Sequence, residues 1–352
     1  MARPFLRRTI LDVLTRTHFS HGTSSSNNSS PSYDCLTPTA TRRRTCLRRM
    51  NIEATRSEIC RILRERQLSS GGWPALNVSS QTALEPTVYA MVALGPGHKD
   101  EYQRALRCLL RCQNSNGSWP SFIGDDAEGA WTTALVLIAL ADHPGEVKSR
   151  RQGFRWLLQA AGKESSWFWR WKFRTTDRHV RFDSRKFGWP WQPDTNSWVV
   201  PTAFAILALH HLPRSWALEH SEIRCQRGIE MLLDRVCPGG GWNAGNSVVY
   251  GRALAPHPDD TAVALLALKN RADESAVRRS LAWLEDYTST ISSPWSLAWS
   301  ALALAAHSRC VGRLLSALAE YVRPIDIQDN ATLGVLALAL DFERSLPLLI
   351  TS

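Results

Sequence analysis

The sequence lacks the marks of several common protein classes. No apolar run approaches the roughly 18 residues that a helix needs to cross a bilayer, which argues against a transmembrane protein. The eight cysteines are scattered and form no C-x-x-C pair, a pattern typical of reduced thiols in a cytoplasmic protein. No P-loop, G-x-G-x-x-G or G-x-S-x-G motif is present, so the sequence offers no sign of a nucleotide-binding loop or a serine nucleophile elbow.

Basic residues are concentrated at one end of the chain. Residues 1–49 hold nine arginines, no lysine and two acids, a charge of +7 out of a net +10, which leaves only +3 for the rest. The main body is therefore not a nucleic-acid-binding surface by charge. Residues 1–49 are too polar to bury a core, and we predict a disordered tail or a stretch upstream of a true start at Met50. Their Arg- and Ser-rich composition is also typical of an organelle transit peptide.

One apolar motif recurs along the chain. Four copies align without gaps, at residues 85–94, 131–140, 200–209 and 259–268. They share a threonine, at Thr87, Thr133, Thr202 and Thr261. Looser copies begin at residues 295 and 329, with Leu297 in place of the threonine in the fifth. These segments are apolar nearly all round, which predicts helices that are buried on every side.

Amphipathic stretches and glycine–tryptophan turns separate these copies. Residues 52–67 and 101–113 place apolar side chains on one face, which predicts helices with one solvated face. The motif Q-x-x-x-G-x-W occurs at 67–73 and 113–119, and shorter Gly–Trp motifs follow later. About six such helical hairpins bury their apolar faces only by stacking and closing on themselves. We therefore predict an all-α, single (α/α)6 toroid over residues 50–352.

The residues of the turn motif have structural roles in this interpretation. Gly71 and Gly117 permit a turn that a Cβ would obstruct. The tryptophans two residues later provide broad rings that pack on neighbouring helix ends. The glutamines that open each motif are expected to bond unpaired helix carbonyls.

Q-x-x-x-G-x-W followed by an apolar helix resembles the repeat of the squalene–hopene cyclase and protein prenyltransferase β-subunit superfamily. The resemblance covers roughly residues 52–340. It implies the toroid but not the activity, because this fold serves class II terpene cyclases, prenyltransferases and non-catalytic proteins. The toroid lacks the Asp-x-Cys zinc motif of the prenyltransferases and the GCGEQ-like motif of thioester proteins.

Class II cyclases of this superfamily carry D-x-D-D-T-A, whose middle aspartate donates a proton. The matching stretch is HPDDTA at 257–262, so the resemblance places Asp259 on the donor and Asp260 on the last aspartate, with His257 replacing the first. Burial and a second carboxylate raise a carboxyl pKa, whereas a helix N-terminus and a protonated histidine lower it. Two interpretations stay open: catalytic residues (Asp259, Asp260 and His257), or acids that only start a helix.

Parallel inner helices would gather their N-termini, and several acids, around one mouth of the ring. Glu85, Asp194, Asp259 and Asp329 belong to this set. Helix capping explains such acids, and a pocket that binds a cationic intermediate or Mg²⁺ is the alternative. We expect no required cofactor, and we take Glu85 and Asp194 as candidate substrate-binding residues.

An insertion at about 163–198 interleaves aromatic and basic residues. Its segment WFWRWKF (167–173) alternates, which predicts a strand or an extended lid. The composition suits a cover over a hydrophobic anionic ligand, a membrane-interface segment, a nucleic-acid-stacking surface or a self-packed loop. Trp189, Trp191 and Trp198 are the candidates for substrate binding and for stabilising a carbocation through their ring faces.

The leading hypothesis is a class II, protonation-initiated terpene-cyclase-like enzyme acting on an isoprenoid or polyprenyl substrate. The alternative is a non-catalytic toroid that binds a lipid or a protein. We expect a hydrophobic small molecule as partner and no nucleic acid. Typical class II cyclases place their cavity between two helical domains, so either the pocket lies inside this single ring or a second helical-domain chain completes it. The expected location is cytoplasmic, with peripheral membrane association as a further expectation.

Overall fold

A computed structural model describes residues 38–125, 127–175, 182–216 and 218–350. The larger of two structural units begins at Thr45. The first described helix begins at Pro38, inside the segment expected to be a tail, and residues 1–37 lie outside the described part of the chain. The tail and its boundary near residue 50 therefore stay a prediction.

The described residues form fourteen α-helices and very little strand. In chain order the helices are α1 (Pro38–Glu65), α2 (Leu84–Leu94), α3 (Lys99–Arg111), α4 (Ala130–Ala139), α5 (Val147–Gln159), α6 (Trp167–Thr175), α7 (Val199–His210), α8 (Ser221–Asp234), α9 (Pro258–Ala267), α10 (Ser275–Tyr287), α11 (Pro294–Ala306), α12 (Gly312–Tyr321), α13 (Asn330–Leu340) and α14 (Phe342–Leu349). Two short antiparallel pairs join β1 (Trp73–Pro74) to β2 (Thr82–Ala83) and β3 (Val248–Val249) to β4 (Arg252–Ala253). The prediction of an all-α fold is confirmed.

Six helices form an inner ring: α2, α4, α7, α9, α11 and α13. They are apolar on every side, and nearly all of their residues are buried. Successive inner helices contact one another, and α13 contacts α2, which closes the ring. The amphipathic helices lie outside; α3, for example, buries Ala105, Leu106, Cys108 and Leu109. The predicted toroid of six helical hairpins is confirmed.

The same two hydrogen bonds anchor four of the turns. The indole N–H donates to a leucine carbonyl of the preceding outer helix at 2.7–2.8 Å. The tryptophan backbone N–H donates to the hydroxyl of the repeat threonine at 2.8–2.9 Å. The four tryptophans, all fully buried, are Trp73, Trp119, Trp189 and Trp242. Each turn thus joins the end of an outer helix to the start of an inner one, so these inner helices begin at one end of the ring, which we call the mouth.

The predicted role of the turn glycine agrees with the structure, whereas the turn glutamine bonds other carbonyls than expected. Gly71 has a φ of +93°, and a Cβ there would lie 2.5 Å from the carbonyl oxygen of Arg104, which confirms the need for glycine. Gln67 Nε2 donates to the carbonyl oxygens of Gly71 and Glu101 at 2.8 and 2.9 Å. Those carbonyls belong to the turn and to the first turn of the next outer helix. The expectation of unpaired carbonyls at helix ends was therefore wrong.

The aromatic insertion contains a helix, so the expected strand or extended lid is wrong for residues 167–175. In α6, Trp169 and Phe173 are four residues apart and their ring centroids lie 5.9 Å apart. Phe173 also packs edge to face on Phe182 at 5.4 Å. This packing of one helical face outweighs the alternation of the sequence. No described helix, α6 included, has the length and apolarity to cross a membrane.

Candidate active site

Aromatic side chains meet at the axis of the ring. Tyr89 of α2 and Phe204 of α7 come two residues after the repeat threonine, and Trp299 of α11 comes two residues after its equivalent. The ring of Trp299 meets those of Tyr89 and Phe204 edge to face, at centroid distances of 5.8 and 5.9 Å. All three side chains are at most 2% exposed. Helices that are not neighbours in the ring therefore touch here, and the three rings close the axis of the toroid. We call these rings the floor, and the mouth-side end of the axis above them the bowl.

The rim of the bowl lies one helical turn closer to the mouth. It is formed by partly exposed residues two positions before the repeat threonine or its equivalent: Glu85, Trp131, Val200, Asp259 and Trp295. Trp295 contacts both Tyr89, at 6.1 Å, and Trp299, at 5.8 Å between centroids. Aromatic rings and carboxyl groups thus lie at one level of the ring, on the mouth side of the floor.

Glu85 holds the most strongly perturbed carboxyl of this rim. Burial, and to a smaller extent the negative charge of Asp329, raise its pKa to about 7. Hydrogen bonds from Trp131 and Tyr89 oppose the shift, and the Tyr89 Oη–Glu85 Oε1 distance is 3.4 Å. Its carboxyl lies deep among protein atoms, although the residue keeps some exposed surface. A large share of Glu85 is therefore protonated near neutral pH.

The three residues of the HPDDTA motif are arranged differently. His257 precedes α9, and its Nδ1 lies 2.9 Å from Oδ2 of Asp260. Burial raises the pKa of Asp260, while the hydrogen bond from His257 lowers it; that same bond raises the pKa of His257. Asp260 is buried and Asp259 is only partly so. The catalytic roles of Asp259, Asp260 and His257 stay predictions.

Trp189 does not line the bowl, which corrects its expected place. It is the repeat tryptophan of the third turn, fully buried, and its indole donates to the carbonyl of Leu157 at 2.7 Å. The guanidinium of Arg224 covers one ring face at 3.4 Å from the centroid and donates to the carbonyl of Gly188. Both its donor and a face are used by the protein, so it has a structural role.

The other insertion residues take separate positions. Trp191 meets Trp131 edge to face at 5.2 Å, so it extends the aromatic rim. Trp198 directly precedes α7 and is 37% exposed, and it packs beside Gly245. Asp194 lies in an exposed turn with a φ of +61°. Trp191 thus packs on Trp131, whose indole is hydrogen-bonded to Glu85, while any substrate contact by Trp191, Trp198 or Asp194 stays a prediction.

Capping accounts for Asp329. Its carboxylate accepts hydrogen bonds from the backbone N–H groups of Ala331 and Thr332 at 3.0 and 3.3 Å, at the start of α13. The capping expectation is therefore confirmed for this acid. Across the described residues, no three His, Cys, Asp or Glu side chains are grouped to hold a metal ion.

Five aromatic residues of this site were not predicted from the sequence: Tyr89, Trp131, Phe204, Trp295 and Trp299. A signal was present, because these aromatics occupy only two positions of the repeat, two residues before and two after the threonine or its equivalent. Positions four residues apart lie on one helical face. Comparing the same positions across repeats would therefore have identified the lining of the lumen.

No family model and no curated protein matches this sequence, but several solved structures are similar to it. The type II terpene cyclase MstE from Scytonema, without ligand, matches with a TM-score of 0.53 and 15% identity, over 84% of this chain and 99% of that chain. Its complex with the substrate geranylgeranyl dihydroxybenzoate matches with a TM-score of 0.52 and 14% identity, over 86% and 100%. The fold is that of a terpene-cyclase-like toroid.

Glycosidases share this ring. A GH76 α-mannanase from Bacteroides thetaiotaomicron matches with a TM-score of 0.57 and 8% identity, over 84% of this chain and 95% of that chain. An α-amylase from Clostridium perfringens matches with a TM-score of 0.55 and 8% identity, over 81% and 97%. At such identities the likeness shows a common fold and leaves the chemistry to the side chains of the bowl. The narrower resemblance to squalene–hopene cyclase stays a prediction.

Proposed function

We propose that this protein is an enzyme that cyclises an isoprenoid by protonating it. The observation that supports this most is Glu85, a carboxyl that keeps its proton near neutral pH and stands at the rim of an aromatic bowl. General acids work best when their pKa lies near the working pH. An ordinary glutamate would be ionised there and would have no proton to give.

The proposed reaction starts when Glu85 gives its proton to the less substituted carbon of the terminal double bond of an isoprenoid. The π electrons form the new C–H bond and leave a tertiary cation. Neighbouring double bonds attack that cation in turn, and each attack forms a C–C bond and moves the positive charge along the chain. Loss of a proton from the last cation ends the reaction, and solvent restores the proton on Glu85. The product is an isomer of the substrate.

The aromatic residues would stabilise the moving cation. A cation over an aromatic face gains about 2 kcal/mol or more in a desolvated site. Trp131, Trp191 and Trp295 stand at the rim, beside the acid or above the floor. In the floor, the indole N–H of Trp299 has no hydrogen-bond acceptor among the described residues, which fits a dry cavity. Exclusion of water would protect the cation from capture.

The substrate class follows from the cyclase neighbour and the apolar lining. The substrate bound by MstE carries a geranylgeranyl chain, so geranylgeranyl compounds are the first to test. That neighbouring chain is matched over nearly its whole length by this one, so a second helical-domain chain is not needed to reach its size.

Asp259, with Asp260 and His257, is the competing proton donor. Its support is the alignment with D-x-D-D-T-A. Burial raises the pKa of Asp260, and the hydrogen bond from His257 opposes that shift, since a protonated histidine stabilises a carboxylate. We therefore favour Glu85 and keep Asp259 as the alternative.

Two other functions are separated by the same assay. A non-catalytic toroid would bind an isoprenoid without converting it. A glycosidase would use paired carboxyl groups, and Glu85 and Asp259 provide acids on one rim of a fold that glycosidases share.

The test is incubation of the purified chain in D₂O with squalene, C10–C20 prenyl diphosphates and geranylgeranyl dihydroxybenzoate. We expect a product that has the composition of its substrate with one hydrogen replaced by deuterium, found by mass spectrometry and located by NMR. Retained substrate that co-purifies with the protein would support binding alone. Release of sugars from mannan or starch would replace this proposal by glycoside hydrolysis.

A further inference from the structure

Helix α6 presents an unusual exposed aromatic face. Trp167 is 76% exposed, Trp171 58% and Phe168 48%. The three rings form one cluster, with centroid distances of 6.1 Å from Trp167 to Phe168 and 6.4 Å from Phe168 to Trp171. Scattered exposed apolar residues are common in soluble proteins, but a contiguous aromatic cluster marks an interaction surface.

Cations accompany this face. Residues 163–175 hold two lysines and two arginines against one acid, Glu164. The ammonium groups of Lys163 and Lys172 lie over the ring of Trp169, at 5.1 and 4.6 Å from its centroid. Glu164 is buried and accepts a hydrogen bond from the backbone N–H of Ser197 at 3.1 Å. The segment therefore carries a net positive charge next to the exposed aromatic cluster.

The segment is attached to the mouth end of the ring. The backbone N–H of Lys163 donates to the carbonyl of Thr195 at 3.0 Å, and Glu164 is tied to Ser197. Both partners lie in the loop that leads into α7, an inner helix, and inner helices begin at the mouth. The opposite face of α6 is occupied, because Trp169 and Phe173 pack with each other and with Phe182. The cluster formed by Trp167, Phe168 and Trp171 is thus held outward.

We infer that α6 is an interfacial helix that docks the mouth end of the toroid on an anionic lipid bilayer. Tryptophan and phenylalanine favour the boundary between headgroups and acyl chains, and lysine and arginine bind anionic headgroups. Single-stranded nucleic acid is a weaker fit, because the three rings already contact one another edge to face or at a tilt and the main body carries only +3. The inference stands apart from the role of Glu85, although a docked mouth would open onto the phase where isoprenoids dissolve.

Co-sedimentation of the full chain with vesicles tests this surface. We expect binding to phosphatidylcholine vesicles that contain phosphatidylserine, and weaker binding to phosphatidylcholine alone. The variant Trp167→Ser/Phe168→Ser/Trp171→Ser should bind at least about tenfold more weakly. The matched control Val78→Ser/Ile223→Ser/Tyr321→Ser removes residues that are also exposed but scattered, and it should bind like the wild type. Thermal melting of both variants shows whether each is folded.

The charge contribution has its own variant. Lys163→Gln/Lys172→Gln should weaken binding to the anionic vesicles by about tenfold and should barely change binding to neutral ones. Added salt should have the same effect as the substitution. The inference is overturned if the wild type ignores both vesicles, or if the aromatic variant and its control bind equally. It is also overturned if the face binds single-stranded nucleic acid, or a second copy of the chain, in place of lipid.

Discussion

Glu85 and Asp259 occupy the same repeat position on inner helices three steps apart around the ring, yet their surroundings differ. Glu85 stands near the negative charge of Asp329 and beside the indole of Trp131. Asp259 is followed by Asp260, which is buried and hydrogen-bonded to His257. Both rim acids therefore have a second acid nearby, and only the surroundings of Asp259 add a histidine that can become a cation.

The difference shows how a repeat can place acids at equivalent sites and still separate their chemistry. A nearby carboxylate favours the neutral acid, whereas a histidine favours the ionised one. The surroundings of Glu85 suit proton donation, whereas near Asp259 burial raises the pKa of Asp260 and the hydrogen bond from His257 opposes that shift. Each substitution below alters the surroundings of one of the two rim acids, Glu85 or Asp259, and the other acid serves as the control.

The largest effect is expected from Glu85→Gln. Glutamine keeps the shape and the hydrogen bonds to Trp131 and Tyr89 but has no proton of useful acidity. Turnover of the isoprenoid identified in D₂O should fall by at least about 10²-fold. Asp259→Asn and Asp260→Asn should retain most of the rate. An inactive Asp259→Asn beside an active Glu85→Gln would instead support the D-x-D-D alignment.

A second prediction concerns stability against pH. The ordinary pKa of a glutamate is 4.5 and that of Glu85 is about 7. The folded state thus binds the proton more tightly, so this residue destabilises the fold as the pH rises from 4.5 through 7. The loss is up to roughly 3 kcal/mol of unfolding free energy. Urea titrations should show this slope in the wild type, and a smaller one in Glu85→Gln. Parallel slopes would contradict the raised pKa.

Asp329→Asn probes the negative neighbour. It should lower the pKa of Glu85, so the fall of activity at high pH should move to lower pH. Asparagine is also a good N-cap, so the unfolding free energy should change by less than about 1 kcal/mol. The pH–rate profiles of variant and wild type are compared. If the pH–rate profile of a stably folded Asp329→Asn is the same as that of the wild type, Asp329 does not raise the pKa of Glu85.

The smallest effect is expected from His257→Ala on the opposite rim. The His257 side chain is 58% exposed, so its bond to Asp260 should contribute under about 1 kcal/mol. Because the pKa of His257 is raised, this stabilisation is present below its ordinary pKa of 6.5 and is lost as the pH rises through the raised value. Denaturant titrations at about pH 6 and pH 9 measure the change. A loss of activity comparable with that of Glu85→Gln would instead support Asp259, with Asp260 and His257, as the proton donor.

The toroid was predictable because its signals are local. Alternating amphipathic and fully apolar segments, with glycine–tryptophan turns between them, already determine which helices lie inside and outside. The proton-donor role of Glu85 was not predictable from the sequence. The pKa of its carboxyl depends on burial, on Asp329, which is far along the chain, and on the indole of Trp131. Trp189 was misplaced since the sequence does not distinguish a tryptophan that anchors a turn from one, like Trp191, that reaches the rim. The α6 helix was missed because contacts with Phe182 outweigh its alternating pattern.

The most direct test of the account is the protonation state of Glu85 itself. Infrared spectra of the ¹³C-glutamate-labelled wild type, minus those of Glu85→Gln, isolate the C=O band of its protonated carboxyl. We predict that this band persists at about pH 6 and disappears as the pH passes about 7. A band already lost by about pH 5 would show an ordinary carboxylate with no proton to donate near neutral pH, and would contradict the account.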